Sequence, residues 1–415
     1  MIRTLILMGA RVALGPNVAR RLDLEIRGGR IISMVPASKV ASTLTALGAP
    51  RVDRSVSLDL RGHLILPGLI NAHDHLAFNL FPLLGRPPYP NATAWARDVY
   101  KPDESPVREH RSVPRNARLQ WGAIKNLVSG VTTVAHHDPD PPRSFGTRFP
   151  INVAKQCGWA HSLEFTPDIA ERFRKTPHDW PFILHLGEAT DAAGEEEIFT
   201  LDRMGLLHKR TVIVHGVGLG SRGVQLMRKR GASLIACPVS NLFTLSATLK
   251  RSVFSSGVAI ALGTDSALTA TGDILDALRA ARAVWKLSEA RLYRMVTEDA
   301  ARVLRLRDGQ GHIQEGGAAD LIVVRDGGAS PAQALLDLRG VEMSIIGGSV
   351  RLVSNSLARY AKPRYASNVF QSISVEGRGR AWIDANLSDL YRETASRLGG
   401  GFKIAGRRLR ISAIK

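Results

Sequence analysis

The chain has 415 residues, 44% of them hydrophobic and 22% charged, the usage of a globular protein long enough to bury a sizeable core, which excludes a disordered or fibrous chain. No stretch approaches the roughly 18 uninterrupted apolar residues of a membrane span. Lys plus Arg number 56 against 37 Asp plus Glu, a formal charge of +19. The basic residues are scattered, densest between Arg378 and Lys415, and carry no stacking or zinc-finger motif, so nucleic acid is not expected as the main partner.

Residues 1–66 read as short strands. Leu5–Met8, Leu24–Ile26, Arg30–Val35 and Val56–Leu60 are separated by Gly28-Gly29, Pro36 and Gly62. The opening Met1–Arg11 has one early charge, a short apolar run and no small-residue cleavage site, so no secretory signal is read. Only two cysteines, Cys157 and Cys237, are present; that is no disulfide framework, and a cytoplasmic protein is expected.

From Leu64 the texture changes to buried apolar strands followed by helix-compatible segments. The strands are Leu64–Leu66, Val131–Val134, Phe182–Leu184, Thr211–Val214, Ser233–Ala236 and Val258–Leu262. Their alternation with helices over residues 67–306 predicts a parallel sheet and suits a closed eight-fold barrel. A helix is expected over Leu292–Leu306. Strand texture then returns at Asp320–Val324 and Met343–Ile346, so residues 307–362 are placed to pair with residues 1–66. Residues 363–415 form a basic extension with an amphipathic stretch, Leu387–Leu398, of no assigned role.

The chemistry begins at Asn71-Ala72-His73-Asp74-His75. Two residues apart on a strand, His73 and His75 face the same way, and two neutral imidazoles on one face are suited to hold one divalent metal. Three further strand ends contribute. His185 closes Phe182-Ile183-Leu184, with Glu188 three residues on; His215 closes Thr211–Val214; Asp265 follows Gly263-Thr264. Each is unremarkable alone, a core histidine or a helix cap. Together they make a His/His/His/Asp inventory at barrel strand ends, where such enzymes place their chemistry.

These segments resemble the amidohydrolase superfamily along nearly the whole chain: Pro67–His75, Gly130–Val134, His185–Glu188, Val214–Gly216, Cys237-Pro238-Val239-Ser240-Asn241-Leu242, Gly263–Ser266, Ala300–Leu304 and Gly316–Val324. The HxxE and CPxSNL elements look most like the branch of cytosine, guanine and S-adenosylhomocysteine deaminases and triazine chlorohydrolases. The resemblance implies an α/β fold, a (β/α)8 TIM-like barrel with a small β-sandwich built from both chain ends. It implies one divalent ion, most simply zinc with iron or manganese as alternatives, held by His73, His75, His185 and Asp265. His215 would contact the attacking water or the leaving group, and Glu188 would shuttle protons to a departing nitrogen. A divalent ion makes hydroxide available near pH 7. Because an odd offset turns Glu188 away on a regular strand, it must lie past the strand end and curl back.

The expected activity is hydrolysis of a non-peptide C–N bond in a small, heterocyclic substrate, as deaminase or amidohydrolase. The alternative is a non-catalytic scaffold, or a nucleic-acid-associated protein, on the same fold. Binuclear members add a carboxylated lysine, for which Lys155 is the candidate; the HxxE pattern favours a single ion. Around the mouth, His161, His137, Trp95 and Asn241 are candidate substrate contacts, with His136, Asp138 and Ser240 nearby. The Pro-rich insert Gly85–Trp95 suits a lid. Cys237 reads as a small buried residue rather than a nucleophile. A homo-oligomer is compatible with the sequence, and no membrane partner is expected.

Overall fold

The computed structural model describes residues 4–37, 55–140, 142–361 and 370–412. Both chain ends contribute to one twelve-stranded sheet. Its N-terminal strands are Thr4–Ala13, Ala19–Arg27, Arg30–Pro36, Ser55–Asp59 and His63–Pro67. The seam between the ends is antiparallel, His63–Pro67 against Leu321–Arg325, with Leu321 opposite Pro67. Leu5, Leu7, Leu24, Ile26, Ile65, Leu321, Val323, Met343 and Ile345 share one buried cluster across that seam. The two ends meet along one continuous ladder.

At Gly68 the chain leaves this sheet for the inner one. A Cβ there would lie 2.1 Å from Thr132 Oγ1, so the crossing is closed to any side chain. Eight short parallel strands follow. Leu69–Asp74, Val131–His136 and Asn152–Val153 form one group; Gly158–Trp159, Phe182–Leu186, Thr211–His215, Ser233–Ala236 and Ile260–Leu262 form the other. Most are buried throughout, as a sheet with both faces covered requires. The groups meet where the Thr264 and Asp265 amides donate to His73 O at 3.0 and 3.1 Å. On the far side no ladder joins Asn152–Val153 to Gly158–Trp159 among the described residues. The architecture is thus mixed α/β without a closed ring. Both strands at the gap are two residues long, and only residues 154–157 separate them, too few for a crossover helix.

The expected helix over Leu292–Leu306 is two helices, Glu289–Met295 and Glu298–Val303. The break frees Val296 O to accept the Ile70 amide at 2.8 Å, tying it to the first inner strand. No helix among the described residues is long and apolar enough to cross a membrane.

The C-terminal extension acquires a place. Leu387–Leu398 is a helix, and its Thr394 Oγ1 accepts the Trp121 indole N–H at 2.8 Å. Arg378 donates to both Asp273 oxygens at 2.7 Å, and Arg407 to Asp276 at 2.5 Å, at the start of the helix Ile274–Trp285. Ala405 bridges two segments: its amide donates to Asn79 O at 2.7 Å and its carbonyl accepts from Gly272 at 2.8 Å. Those segments follow His75 and Asp265, so the extension braces the chain behind the two outermost members of the inventory.

Candidate metal centre

Alternation along Leu69–Asp74 sets His73 on the inner face, and His75 follows where the strand gives way to the short helix Leu76–Phe78. His185 and His215 close their own strands. His73 Nε2 lies 3.2 Å from His185 Nε2, His75 Nε2 lies 3.4 Å from it, and Asp265 Oδ1 stands 3.8 and 3.7 Å from His73 and His75 Nε2. A tetrahedron with metal–nitrogen bonds of ~2.05 Å has edges of about 3.3 Å. The imidazole spacing is that edge.

The protons of the rings agree with a cation. His185 Nδ1 lies 2.8 Å from His161 O, which only accepts, so His185 Nε2 must turn a lone pair inward. His75 Nδ1 is 3.0 Å from Asp138 Oδ1, which likewise leaves its Nε2 for the centre once a cation is there. His73 Nδ1 is buried and unpartnered. Asp265 is oriented by Ser240 Oγ at 2.6 Å, Thr269 Oγ1 at 3.1 Å and the Ser266 amide at 2.7 Å. The donor set and its spacing fit a divalent ion.

Beside it stand Glu188 and His215. The strand ends at Leu186, and Gly187, at φ +64°, makes the turn that brings Glu188 back over the strand ends. Glu188 Oε2 is 3.4 Å from His215 Nε2, while His215 Nδ1 pairs with Asn241 Oδ1 at 2.7 Å. His215 and Asp265 both adopt left-handed backbone (φ +74° and +60°), a strained state that concentrates at functional sites. Burial, then the Asp265 charge, holds the Glu188 carboxyl well above the usual carboxylate range. Burial lowers His215, favouring the neutral ring. Burial opposes protonation of His75, but the Asp138 charge and hydrogen bond, with Asp265 and Asp74, prevail and lift it to about 9 before any metal competes.

The other candidates are distributed as follows. His137 is buried with its ring 4.5 Å from that of His185, and its Nε2 is 3.0 Å from Ala160 O. The His161 ring sits 4.8 Å from that of His185 at the exposed rim, and its carbonyl, not its ring, holds His185. Asn241 serves His215. Trp95 is committed within its own insert, donating to Leu84 O at 2.9 Å. That insert is pinned to the Glu188 loop by Ala92 N–H to Glu188 O (2.9 Å) and Thr190 N–H to Pro90 O (2.8 Å). Lys155 is exposed and donates to Phe145 O at 3.2 Å. Burial pushes the Cys237 thiol well up, which suits an inert core residue.

Sequence reasoning missed the polar layer beneath the centre. Asp74 Oδ2 pairs with Lys125 Nζ at 2.8 Å, both fully buried, and accepts from Asn126 Nδ2 at 2.7 Å and Asn71 Nδ2 at 3.1 Å. Asn79 donates to Asp74 Oδ1 at 2.8 Å, and Lys125 also reaches Asn79 and Thr264. The available signal was a lone lysine inside the apolar run Trp121–Val128.

Gly263 is the tightest backbone approach at the centre. A Cβ there would meet His73 Cβ at 2.8 Å and the His73 backbone N and O at 3.0 Å. Gly263→Ala is therefore expected to push the His73 and Asp265 segments apart and weaken divalent-metal binding at least tenfold, read by chelator competition.

A buried carboxylate poised beside a cluster of metal-donor side chains, at the C-terminal ends of parallel strands, defines a metal-dependent hydrolase. The chain matches the amidohydrolase family model over residues 179–351. It is similar to a 5-methylthioadenosine/S-adenosylhomocysteine deaminase of Syntrophobacter fumaroxidans, 26% identical over 77% of this chain and 84% of the relative. A 5'-deoxyadenosine deaminase of Methanothrix thermoacetophila is 24% identical over 77% and 85%. In fold it is similar to an adenosine deaminase from Xanthomonas campestris with bound zinc (TM-score 0.65, 20% identical, 95% and 97% covered). A triazine hydrolase from Arthrobacter aurescens is alike at TM-score 0.70, 18% identical, covering 95% and 99%.

Proposed function

We propose that this protein is a mononuclear zinc-dependent deaminase of a small aminated heterocycle, with adenine nucleosides as the favoured class. The reading is carried by one observation, the gathering of the His73, His75 and His185 imidazoles at tetrahedral-edge spacing, with Asp265 Oδ1 3.7–3.8 Å from two of them, beside Glu188 and His215. The names of the sequence relatives support adenine over other heterocycles. On this reading residues 67–306 act as a (β/α)8 unit whose ring of strands stays open between Asn152–Val153 and Gly158–Trp159, residues 1–66 and 307–362 as its β-sandwich companion, and 363–415 as the brace behind the site.

When bound, a divalent ion at this point brings a water's pKa toward neutrality. The chain's own groups do the rest. Glu188 takes a proton from the attacking water and delivers it to the departing amine nitrogen. His215, its Nδ1–H held by Asn241, keeps an Nε2 lone pair turned toward Glu188 and accepts a hydrogen bond from the water. Asp265, tied by three donors, stays a carboxylate: burial opposes this, but the surrounding imidazoles and the Ser240 and Ser266 hydrogen bonds prevail. His137 and His161 stand beside His185 to meet the heterocycle.

The test is metal analysis followed by a substrate screen read by ammonia release and product mass. The panel holds adenosine, 5'-deoxyadenosine, S-adenosylhomocysteine, cytosine, guanine, lactams, N-acyl compounds and a chlorotriazine. Ammonia release from an adenine nucleoside, abolished by a chelator and restored by zinc, is expected. Zinc-replete protein that cleaves only amides or aryl chlorides overturns deamination; inactivity on the whole panel overturns the hydrolase reading of the site.

A further inference from the structure

Two residues past the end of the Val131–His136 strand, Asp138 is a carboxylate with little solvent and few partners. Its Oδ1 takes His75 Nδ1 at 3.0 Å, while its Oδ2 is buried and makes no hydrogen bond; the nearest basic side chains to it, Arg115 and His136, stay 3.9 Å away. Burying a half-satisfied carboxylate costs stability, so packing alone does not account for it. What it gains is control of one imidazole.

We propose that Asp138 is a positioning residue for metal binding, fixing the tautomer and direction of His75 and strengthening its Nε2 as a donor. The proposal rests on the reading of His75 as a ligand. A carboxylate on the far nitrogen of a ligating histidine holds the ring in place and raises its basicity. Neighbouring groups keep Asp138 at that task. Arg115 is held away by Asp140, which it grips with two bonds of 2.6 Å. His136 is spent on both sides, its Nδ1 accepting from the Leu76 amide at 3.2 Å and its Nε2 donating to Asp140 at 2.8 Å. Leu76 adjoins His75, so the same cluster anchors the ligand's backbone and its ring.

The rival reading is a second ion held by His136, Asp138 and Asp140, whose donor atoms lie within 4.8 Å of one another. Arg115 on both Asp140 oxygens and the filled His136 nitrogens argue against it, because a cation there would displace a guanidinium.

The experiment measures zinc stoichiometry and affinity, by chelator competition on full-length protein, for wild type, Asp138→Asn and Asp138→Ala. Thermal midpoints serve as the folding control. Wild type is expected to bind one equivalent. Asp138→Ala loses about 10–100-fold in affinity, and Asp138→Asn, which keeps an acceptor but not the charge, falls between. Unchanged affinity in both variants overturns the proposal, as does a lowered midpoint with affinity intact, which marks a merely structural role. Loss of a second equivalent of zinc makes Asp138 a ligand and overturns it too. If wild type binds no zinc, the metal-centre reading fails first, and that outcome is distinct from the others.

Discussion

Replacing Glu188 with glutamine lowers kcat by about 10²–10⁴-fold, the span that positioned acid–base groups contribute. The amide keeps size and polarity but neither takes nor delivers a proton. Zinc content stays at the wild-type level, because Glu188 is outside the donor set, and the thermal midpoint is not lowered, because a costly buried ionisable group has gone. The pH profile adds a second readout. The proton-accepting form is required, so kcat/KM falls on the acid side as Glu188 is protonated. That limb is expected to be lost in Glu188→Gln. A variant within tenfold of wild-type kcat would remove Glu188 from the reaction.

Lys125→Met is expected to cost about 3–5 kcal/mol of stability, because it leaves the Asp74 carboxylate charged, buried and without its cation. Lys125 is 2% exposed and Asp74 0%. Their 2.8 Å contact joins the helix Arg115–Val128 to the strand carrying His73. The asparagines around Asp74 satisfy its lone pairs but supply no charge. The double variant Asp74→Asn/Lys125→Met removes both ions and should recover much of the loss, which denaturant titration of the cycle measures. A single-variant cost under about 1 kcal/mol, the range of an exposed pair, would show that the network does not hold the strand.

Much of the candidate site was legible because it obeys local rules. His73 and His75 share a face through the two-residue period of a strand, and His185, His215 and Asp265 each end an apolar run. The return of Glu188 follows from its odd offset and from a glycine at position 187 able to take positive φ. The helix Leu387–Leu398 was legible from its amphipathic pattern. Less legible was the ring of strands: alternation of strand and helix says nothing about whether Asn152–Val153 and Gly158–Trp159 pair, and they do not. The break at Val296 was also hidden, because the carbonyl it frees serves Ile70, 226 positions earlier.

The amino-acid order alone determined which donors exist and that they stand at strand ends, because side-chain alternation and the limits of apolar runs are properties of neighbouring residues. Tertiary structure alone decided what each donor's second atom does: Asp138 on His75, the His161 carbonyl on His185, Asn241 on His215, and Lys125 under Asp74. Those pairings join segments such as Asn71 and Thr264, 193 residues apart. A buried polar atom takes whichever partner the packing of distant segments brings within about 3 Å, and no local pattern encodes that choice.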